Sequence, residues 1–146
     1  QHTDSTAVVQ AAEERGVYAF GYHSDMSKYG PKAHLTATTH HWGDFYTRTV
    51  QEVIAGTWKP TRIWGGFKDD MVRLAPLNPA VPAAVKAEVE ALADKLRAGS
   101  FHPFTGPIVD QAGKERLSAG AVMDDVALGK MDFFVQGVAS RLPNAR

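Results

Sequence analysis

The 146-residue sequence contains no cysteine. This absence excludes disulfide bonds, thiolate nucleophiles and cysteine-liganded metal sites in this chain. It also leaves the redox compartment undetermined, because no thiol is present to report it.

Long apolar runs and an excess of basic charge are also missing. No stretch approaches the ~20 apolar residues that a helix needs to cross a bilayer. The 16 lysine and arginine residues balance 16 aspartate and glutamate residues, so the formal net charge is zero. Because no basic surplus is present to neutralise a phosphate backbone, we expect no nucleic acid partner.

What remains is the composition of an ordinary globular domain, with 44% hydrophobic and 22% charged residues. A disordered or fibrous chain is thereby excluded. The chain begins at Gln1 without a charged and apolar leader, and its first residues resemble the end of a strand. We therefore expect it to be part of a longer protein.

Helix and strand patterns alternate along the chain. Capping residues and apolar spacing predict helices at residues 6–15, 44–55, 83–98, 124–129 and 131–138. Strands are predicted at 17–22 and 34–39, with two strands joined by an acidic turn between 62 and 77 and an edge hairpin around 101–114. This order predicts an α/β fold with a mainly parallel sheet flanked by helices.

Polar residues follow each of the early strand candidates, at residues 1–5, 23–25 and 39–42. Ligands bind beyond the carboxyl ends of parallel strands, so these residues should face one crevice. Four side chains there are suited to a small polar ligand: Asp4, His23, Asp25 and His40. Three of the four also have a structural explanation, since Asp4 suits a helix start, Asp25 suits a turn and His40 suits a solvated loop.

Motifs for catalysis, metals and cofactors are absent. The six histidines include no His-Glu-x-x-His, and adjacent histidines on a strand point to opposite faces, so at most one of His40 and His41 can enter a common site. The sequence also lacks Gly-x-Ser-x-Gly, Gly-x-Gly-x-x-Gly and a Walker loop. We therefore expect no catalytic residue, no metal site and no cofactor.

Several long runs give the chain a family resemblance. They are AAEERGVYAFG at 11–21 with Ser24-Asp25, HLTA at 34–37, GTWK at 56–59, WGGFKDDMV at 64–72, APLNPAVP at 75–82 and FHPFTGPI at 101–108. Together they resemble the carboxyl-terminal half of the basic membrane protein (Bmp) family of substrate-binding lipoproteins.

The resemblance implies one lobe of a type I periplasmic binding protein, in which two α/β lobes close on a ligand and deliver it to an ABC importer. Residues 1–110 would form the second, carboxyl-terminal ligand-binding lobe. Residues 111–146 would form a tail that returns across the hinge toward the first lobe, which lies outside this chain. Since family members are best known for binding purine nucleosides, the resemblance implies a ligand of this class.

The resemblance also implies a binding site. The family's glycine-rich turn near the ribose falls at residues 1–5, its acidic ribose contacts fall at His23 and Asp25, and its lysine falls at His40. Because this sequence differs at three of these places, a free purine base, or another small heterocycle or polar solute, is at least as suitable as a nucleoside. The expected ligand-binding residues are Gln1, His2, Asp4, His23, Asp25 and His40.

The resulting hypothesis is a non-enzymatic solute receptor, the substrate-binding component of an ABC importer for a purine base or nucleoside. Its partners would be the transporter permease and the first lobe of the same protein. The location would be periplasmic or extracytoplasmic, with the full-length form anchored as a lipoprotein. Two alternatives stay open: a small α/β enzyme acting on a nucleoside or sugar, and a sensory domain that reuses the binding fold.

Overall fold

The computed structural model describes residues 5–140. The chain divides after Ser100 into two compact units by its internal contacts. The first contains α1 (Ala7–Arg15), β1 (Ala19–His23), β2 (His34–His40), α2 (Trp42–Ile54), β3 (Val72–Leu74) and α3 (Ala83–Ala98). The second contains β4 (Ile108–Val109), β5 (Glu115–Leu117) and α4 (Asp125–Gly129).

The sheet of the first unit has the order β1-β2-β3. Strand β1 runs parallel to β2, with Phe20 opposite Thr36 and His23 opposite Thr39. Strand β3 runs antiparallel to β2, with Arg73 opposite Thr39. The α/β class and the parallel pair are therefore confirmed, and the described sheet is mixed because its third strand runs in the opposite direction.

Two predicted elements are wrong. Between residues 62 and 77 the sequence predicts a hairpin of two strands, whereas only β3 forms there. Strand β3 pairs with β2 and therefore needs no hairpin partner. The predicted helix at 131–138 is not formed. Val135 instead makes a β-bridge with Asp110, and the backbone N–H of Gln136 donates to the carbonyl of Val109.

Polar contacts fix the loop before β2. The carboxylate of Glu13 in α1 accepts hydrogen bonds from the backbone N–H groups of Lys32 and Ala33, at 2.9 and 2.7 Å. The amide of Asn78 donates to the carbonyls of Pro31 and His34, both at 2.8 Å. Each side chain makes one exposed and one half-buried hydrogen bond to the backbone. Together these bonds hold α1 and the segment after β3 against the start of β2.

The hydrophobic core of the first unit is small. Its buried apolar residues are mostly alanines, together with the fully buried Val9 and with Met26. Several apolar side chains are exposed instead, including Tyr18, Phe20, Ile54 and Trp64. The described part of the chain includes no helix with the length and apolarity needed to cross a membrane.

The hairpin of the second unit is organised by Asp110. Its carboxylate accepts from the backbone N–H groups of Ala112 and Lys114 and from Nε of Arg116, at 2.8, 3.0 and 2.6 Å. The hydrogen bond from the Arg116 guanidinium is the main cause of the lowered pKa of Asp110.

The predicted boundary at residue 110 falls within this hairpin, which pairs Ile108 with Leu117. The lobe-and-tail assignment itself stays a prediction.

We expect Gly106→Ala to destabilise the second unit. A Cβ at Gly106 would lie 1.9 Å from the backbone carbonyl oxygen of Ser118, so the backbone must shift. Forced repacking of this kind costs about 1–3 kcal/mol. Gly129→Ala is the matched control, since a Cβ there meets no atom within 4 Å. Urea titration measures the free energy of unfolding of each variant, and hydrogen exchange of the backbone amides in residues 101–140 measures the stability of the second unit. Equal amide protection in the two variants would contradict the expectation.

Candidate functional site

The carboxyl ends of the two parallel strands bring two histidines into contact. His23 ends β1 and His40 ends β2, and their Nδ1 atoms are 2.8 Å apart. The ring of Tyr22 packs against both, with centroid distances of 3.8 Å to His23 and 5.9 Å to His40. Both imidazoles are accessible, since His23 is exposed and His40 half-buried. The arrangement places nitrogen donors and acceptors beside an aromatic ring at the expected ligand-binding edge of the sheet.

The backbone at His23 is unusual. Its φ is +68°, a left-handed conformation that residues other than glycine seldom adopt. Such a conformation costs about 1–3 kcal/mol and is retained where surrounding contacts hold it, often at functional sites. At His23 it accompanies the contact with His40.

Asp25 has a clear structural role. Its carboxylate accepts a hydrogen bond of 2.9 Å from the backbone N–H of Ser27, and it lies 4.0 Å from Nδ1 of His34. The hydrogen bonds from Ser27 lower the pKa of Asp25, and the nearby His34 adds to this effect. The turn-forming explanation of Asp25 is therefore observed, while its binding role stays a prediction.

His34 is the buried anchor beneath this turn. Its side chain is 1% exposed, and a Cβ at Gly21 would lie 2.7 Å from its Nε2 atom, so only glycine leaves room for the ring. Nε2 of His34 has no hydrogen-bond partner among the described residues. The ring therefore fills space between β1 and β2 and faces Asp25 with its other nitrogen.

The structure thus unites two of the six predicted ligand-binding residues. His23 and His40 are in contact. Asp25 belongs to the same loop region but is directed to Ser27 and His34. Gln1, His2 and Asp4 lie outside the described residues.

A polar network that the sequence interpretation missed lies after β2. The guanidinium of Arg73 contacts Nε2 of His41 at 2.7 Å and forms an ion pair with Asp70. Because arginine only donates, Nε2 of His41 must accept, which places the ring proton on Nδ1, 3.8 Å from the carboxylate of Asp44. Arg73 also lowers the pKa of Asp70. Only the antiparallel course of β3, which no local pattern reveals, brings Arg73 to His41.

This network includes a group with metal-ligand geometry. His41, Asp44 and Asp70 each place one potential ligand atom within 4.8 Å of the others. Arg73 already bonds to two of these three residues, so a cation at this place would meet a positively charged guanidinium. The contacts therefore favour an ion-pair network.

Aromatic residues begin the helix that follows His40 and His41. The ring of Trp42 stacks on Tyr46 with a centroid distance of 5.8 Å and meets Phe45 edge-on at 5.9 Å. Trp42 is 47% exposed. An accessible indole therefore lies two residues beyond the end of β2.

Comparisons with known proteins agree with this architecture. A family model named Bmp and described as "ABC transporter substrate-binding protein PnrA-like" matches residues 1–98. A protein from Brucella abortus (strain 2308), named "Purine-binding protein BAB2_0673", is 45% identical over 143 residues, which are 98% of this chain and 41% of that protein. A protein from Haloferax volcanii, named "Putative ABC transporter glucose-binding protein TsgA13", is 27% identical over 99% of this chain and 34% of its own length.

Two solved structures share the fold. One, described as a transcriptional activator of the comK gene from Bacillus halodurans, has a TM-score of 0.59 and 25% identity over 66% of this chain and 34% of that chain. An ABC transporter solute-binding protein from Conexibacter woesei has a TM-score of 0.52 and 20% identity over 68% of this chain and 34% of that chain. The chain therefore spans about two-fifths or less of the length of these proteins.

We expect Asp25→Ala to lower the free energy of unfolding by about 1 kcal/mol at neutral pH, the usual value of one hydrogen bond. Asp25→Asn is the control, because an amide oxygen can still accept from Ser27. Because the pKa of Asp25 is lowered in the folded state, the ionised carboxylate stabilises the fold at pH values above the ordinary pKa of 3.8. This contribution is lost as the pH falls through the lower pKa of the folded state. Denaturant titrations at several pH values measure the free energy of unfolding of each protein. A difference between wild type and Asp25→Ala that does not change with pH would contradict this account.

Proposed function

Because the chain belongs to the Bmp family of PnrA-like ABC transporter substrate-binding proteins, we propose that the full-length protein is the substrate-binding component of an ABC importer for a purine base or nucleoside. The single observation that carries this proposal is the contact of His23 and His40 at the carboxyl ends of two parallel strands. Open α/β sheets bind their ligands at this edge. The purine-binding name of the relative with 45% identity supports the ligand class.

The chemistry of this edge suits a heteroaromatic ligand. A purine carries ring nitrogens and substituents that both donate and accept hydrogen bonds, and imidazole offers one of each in its neutral form. The aromatic face of Tyr22 lies against the two imidazoles and gives the edge an apolar, planar side. Gln1, His2, Asp4 and Asp25 are proposed as further ligand contacts.

The mechanism we propose is closure of two lobes around the ligand. A ligand that contacts both lobes favours the closed state by its differential affinity for that state. The closed form would then be presented to the transporter permease, outside the cytoplasm, with a lipid anchor in the full-length protein. This role requires no chemical change in the ligand.

A sugar is the second candidate ligand, because the relative from Haloferax volcanii carries a glucose-binding name. Sugars and purine nucleosides both present hydroxyl groups, whereas a free purine base presents none. Parallel binding measurements with a base, a nucleoside and glucose therefore separate the candidates.

We expect a purine base or nucleoside to raise the melting temperature of the full-length protein and to bind in calorimetry. His40→Ala removes an imidazole from the proposed site and should weaken binding by about tenfold or more, since a lost polar contact leaves a ligand group unpaired. His102→Ala is the control, because the described bond of His102 uses only its backbone carbonyl.

Three results would contradict the proposal. They are binding of glucose without binding of any purine, equal purine affinity in His40→Ala and wild type, and recovery of a chemically altered purine after incubation with the protein. The last result would favour the enzyme alternative.

A further inference from the structure

Helix α2 carries an apolar stripe that is exposed along the length of the helix. Its five side chains share one helix face and have exposed fractions between 47% and 81%: Trp42, Tyr46, Val50, Val53 and Ile54. Single exposed apolar residues are common, whereas a contiguous apolar surface marks a place of interaction. A helix of 13 residues is also only marginally stable unless its apolar face is packed. We therefore expect a partner to cover the stripe.

The other side of α2 packs on the chain segment that follows the helix. The carbonyl of Glu52 accepts hydrogen bonds from the backbone N–H groups of Thr57 and Trp58, at 2.9 and 3.2 Å. Apart from the bonds within the helix backbone, all described hydrogen bonds and ring contacts of residues 45–58 join them to one another or to Trp42. None of these described contacts reaches a strand, so the sheet does not cover the stripe.

The topology explains why α2 leaves the sheet. A helix that connects two parallel strands crosses back over the sheet, because the second strand must start at the opposite edge. Helix α2 instead lies between β2 and β3, which are antiparallel neighbours, so β3 starts at the edge where β2 ends. The two ends of residues 42–70, which we call the arm, therefore meet at one place. There the backbone N–H of His41 donates to the carbonyl of Met71 at 2.9 Å.

Polar contacts fasten the arm to the sheet at this place. The guanidinium of Arg73 on β3 bonds to His41 before the arm and to Asp70 at its end. The ring of Phe67, three residues before Asp70, lies 5.9 Å from the guanidinium of Arg97 in α3. Attachment at the base, with α2 held only by its own following segment, is the geometry of a body that turns about a hinge.

We propose that the arm packs on the first lobe of the full-length protein through the stripe of α2, and that it moves with this lobe when a ligand binds. This inference rests on the proposed function, in which the ligand lies between two lobes at the carboxyl ends of β1 and β2. The arm leaves the sheet at this same edge, because α2 begins directly after β2. The base of the arm therefore lies on the side of the sheet that the first lobe must occupy.

The length of the relatives agrees with this occupant. The purine-binding relative matches 98% of this chain, yet the matched residues make up only 41% of that protein. More than half of such a protein is therefore available to form a further lobe. On this proposal, residues 42–70 belong with the first lobe, although the sequence places them in the second.

Thiol reactivity of the full-length protein tests the packing. Val50→Cys places a thiol in the stripe, and Gln51→Cys places one on the next residue, which is exposed and lies outside the stripe. Residues 1–146 contain no cysteine, so a thiol reagent reacts there only with the introduced group. We expect Val50→Cys to react more slowly than Gln51→Cys by about tenfold or more, because the first lobe must open before the reagent enters. Ile54→Cys and Thr47→Cys repeat the comparison with a second matched pair.

Two results of this experiment overturn the packing on the first lobe. One is equal reaction rates within both pairs, which shows that the stripe is uncovered. The other is protection that disappears when the protein is diluted and a dimer dissociates, which assigns the stripe to a second copy of the chain.

Distances between spin labels test the movement. Gln51→Cys with Glu88→Cys places one label on the arm and one on α3, whereas Glu14→Cys with Glu88→Cys places both labels outside the arm, on α1 and α3. When adenine or adenosine is added to the full-length protein, the first distance should change by more than about 2 Å and the second should stay constant. Calorimetry on the labelled proteins verifies that they bind the ligand.

The two proposals fail in different ways. A labelled protein that binds the purine without a change in either distance overturns the movement of the arm and leaves the purine proposal intact. A protein that binds neither adenine nor adenosine overturns the proposed function and the movement with it, while the thiol rates still decide whether the arm packs on the first lobe.

Discussion

The parallel pairing of β1 with β2 is the constraint on which the candidate site depends. Between Phe20 and His23 the two strands run in register, so that both end at the same edge of the sheet. A one-residue slip would turn each side chain of β1 to the opposite face and would separate His23 from His40. Two features hold this register. The buried ring of His34 fits only beside a glycine, which Gly21 supplies. Hydrogen bonds from Glu13 and Asn78 fix the start of β2.

The sequence allowed the main elements and part of the site to be predicted. Helices α1, α2 and α3 follow from apolar spacing and terminal glycines, which are local signals. The placement of His23 and His40 at neighbouring strand ends follows from the strand pattern and from the rule for parallel sheets. Contact between their Nδ1 atoms could not be predicted, because it depends on the left-handed backbone at His23 and on side-chain distances.

The failures have a common physical cause, which is pairing between residues distant in the sequence. The three-residue strand β3 is too short for a periodic signal, and its antiparallel pairing with β2 alone brings Arg73 to His41. The apolar residues at 131–138 have helical spacing, yet Asp110 and Gln111 bind this segment as extended chain. Tertiary contacts thus override local propensity in both places.

The crystal structure of the full-length protein with a bound purine tests the central claim most directly. The account predicts that the purine lies at the carboxyl ends of β1 and β2, with Nε2 of His40 within hydrogen-bond distance of a polar atom of the base. A purine bound elsewhere, with His23 and His40 in contact only with each other and with solvent, would contradict it.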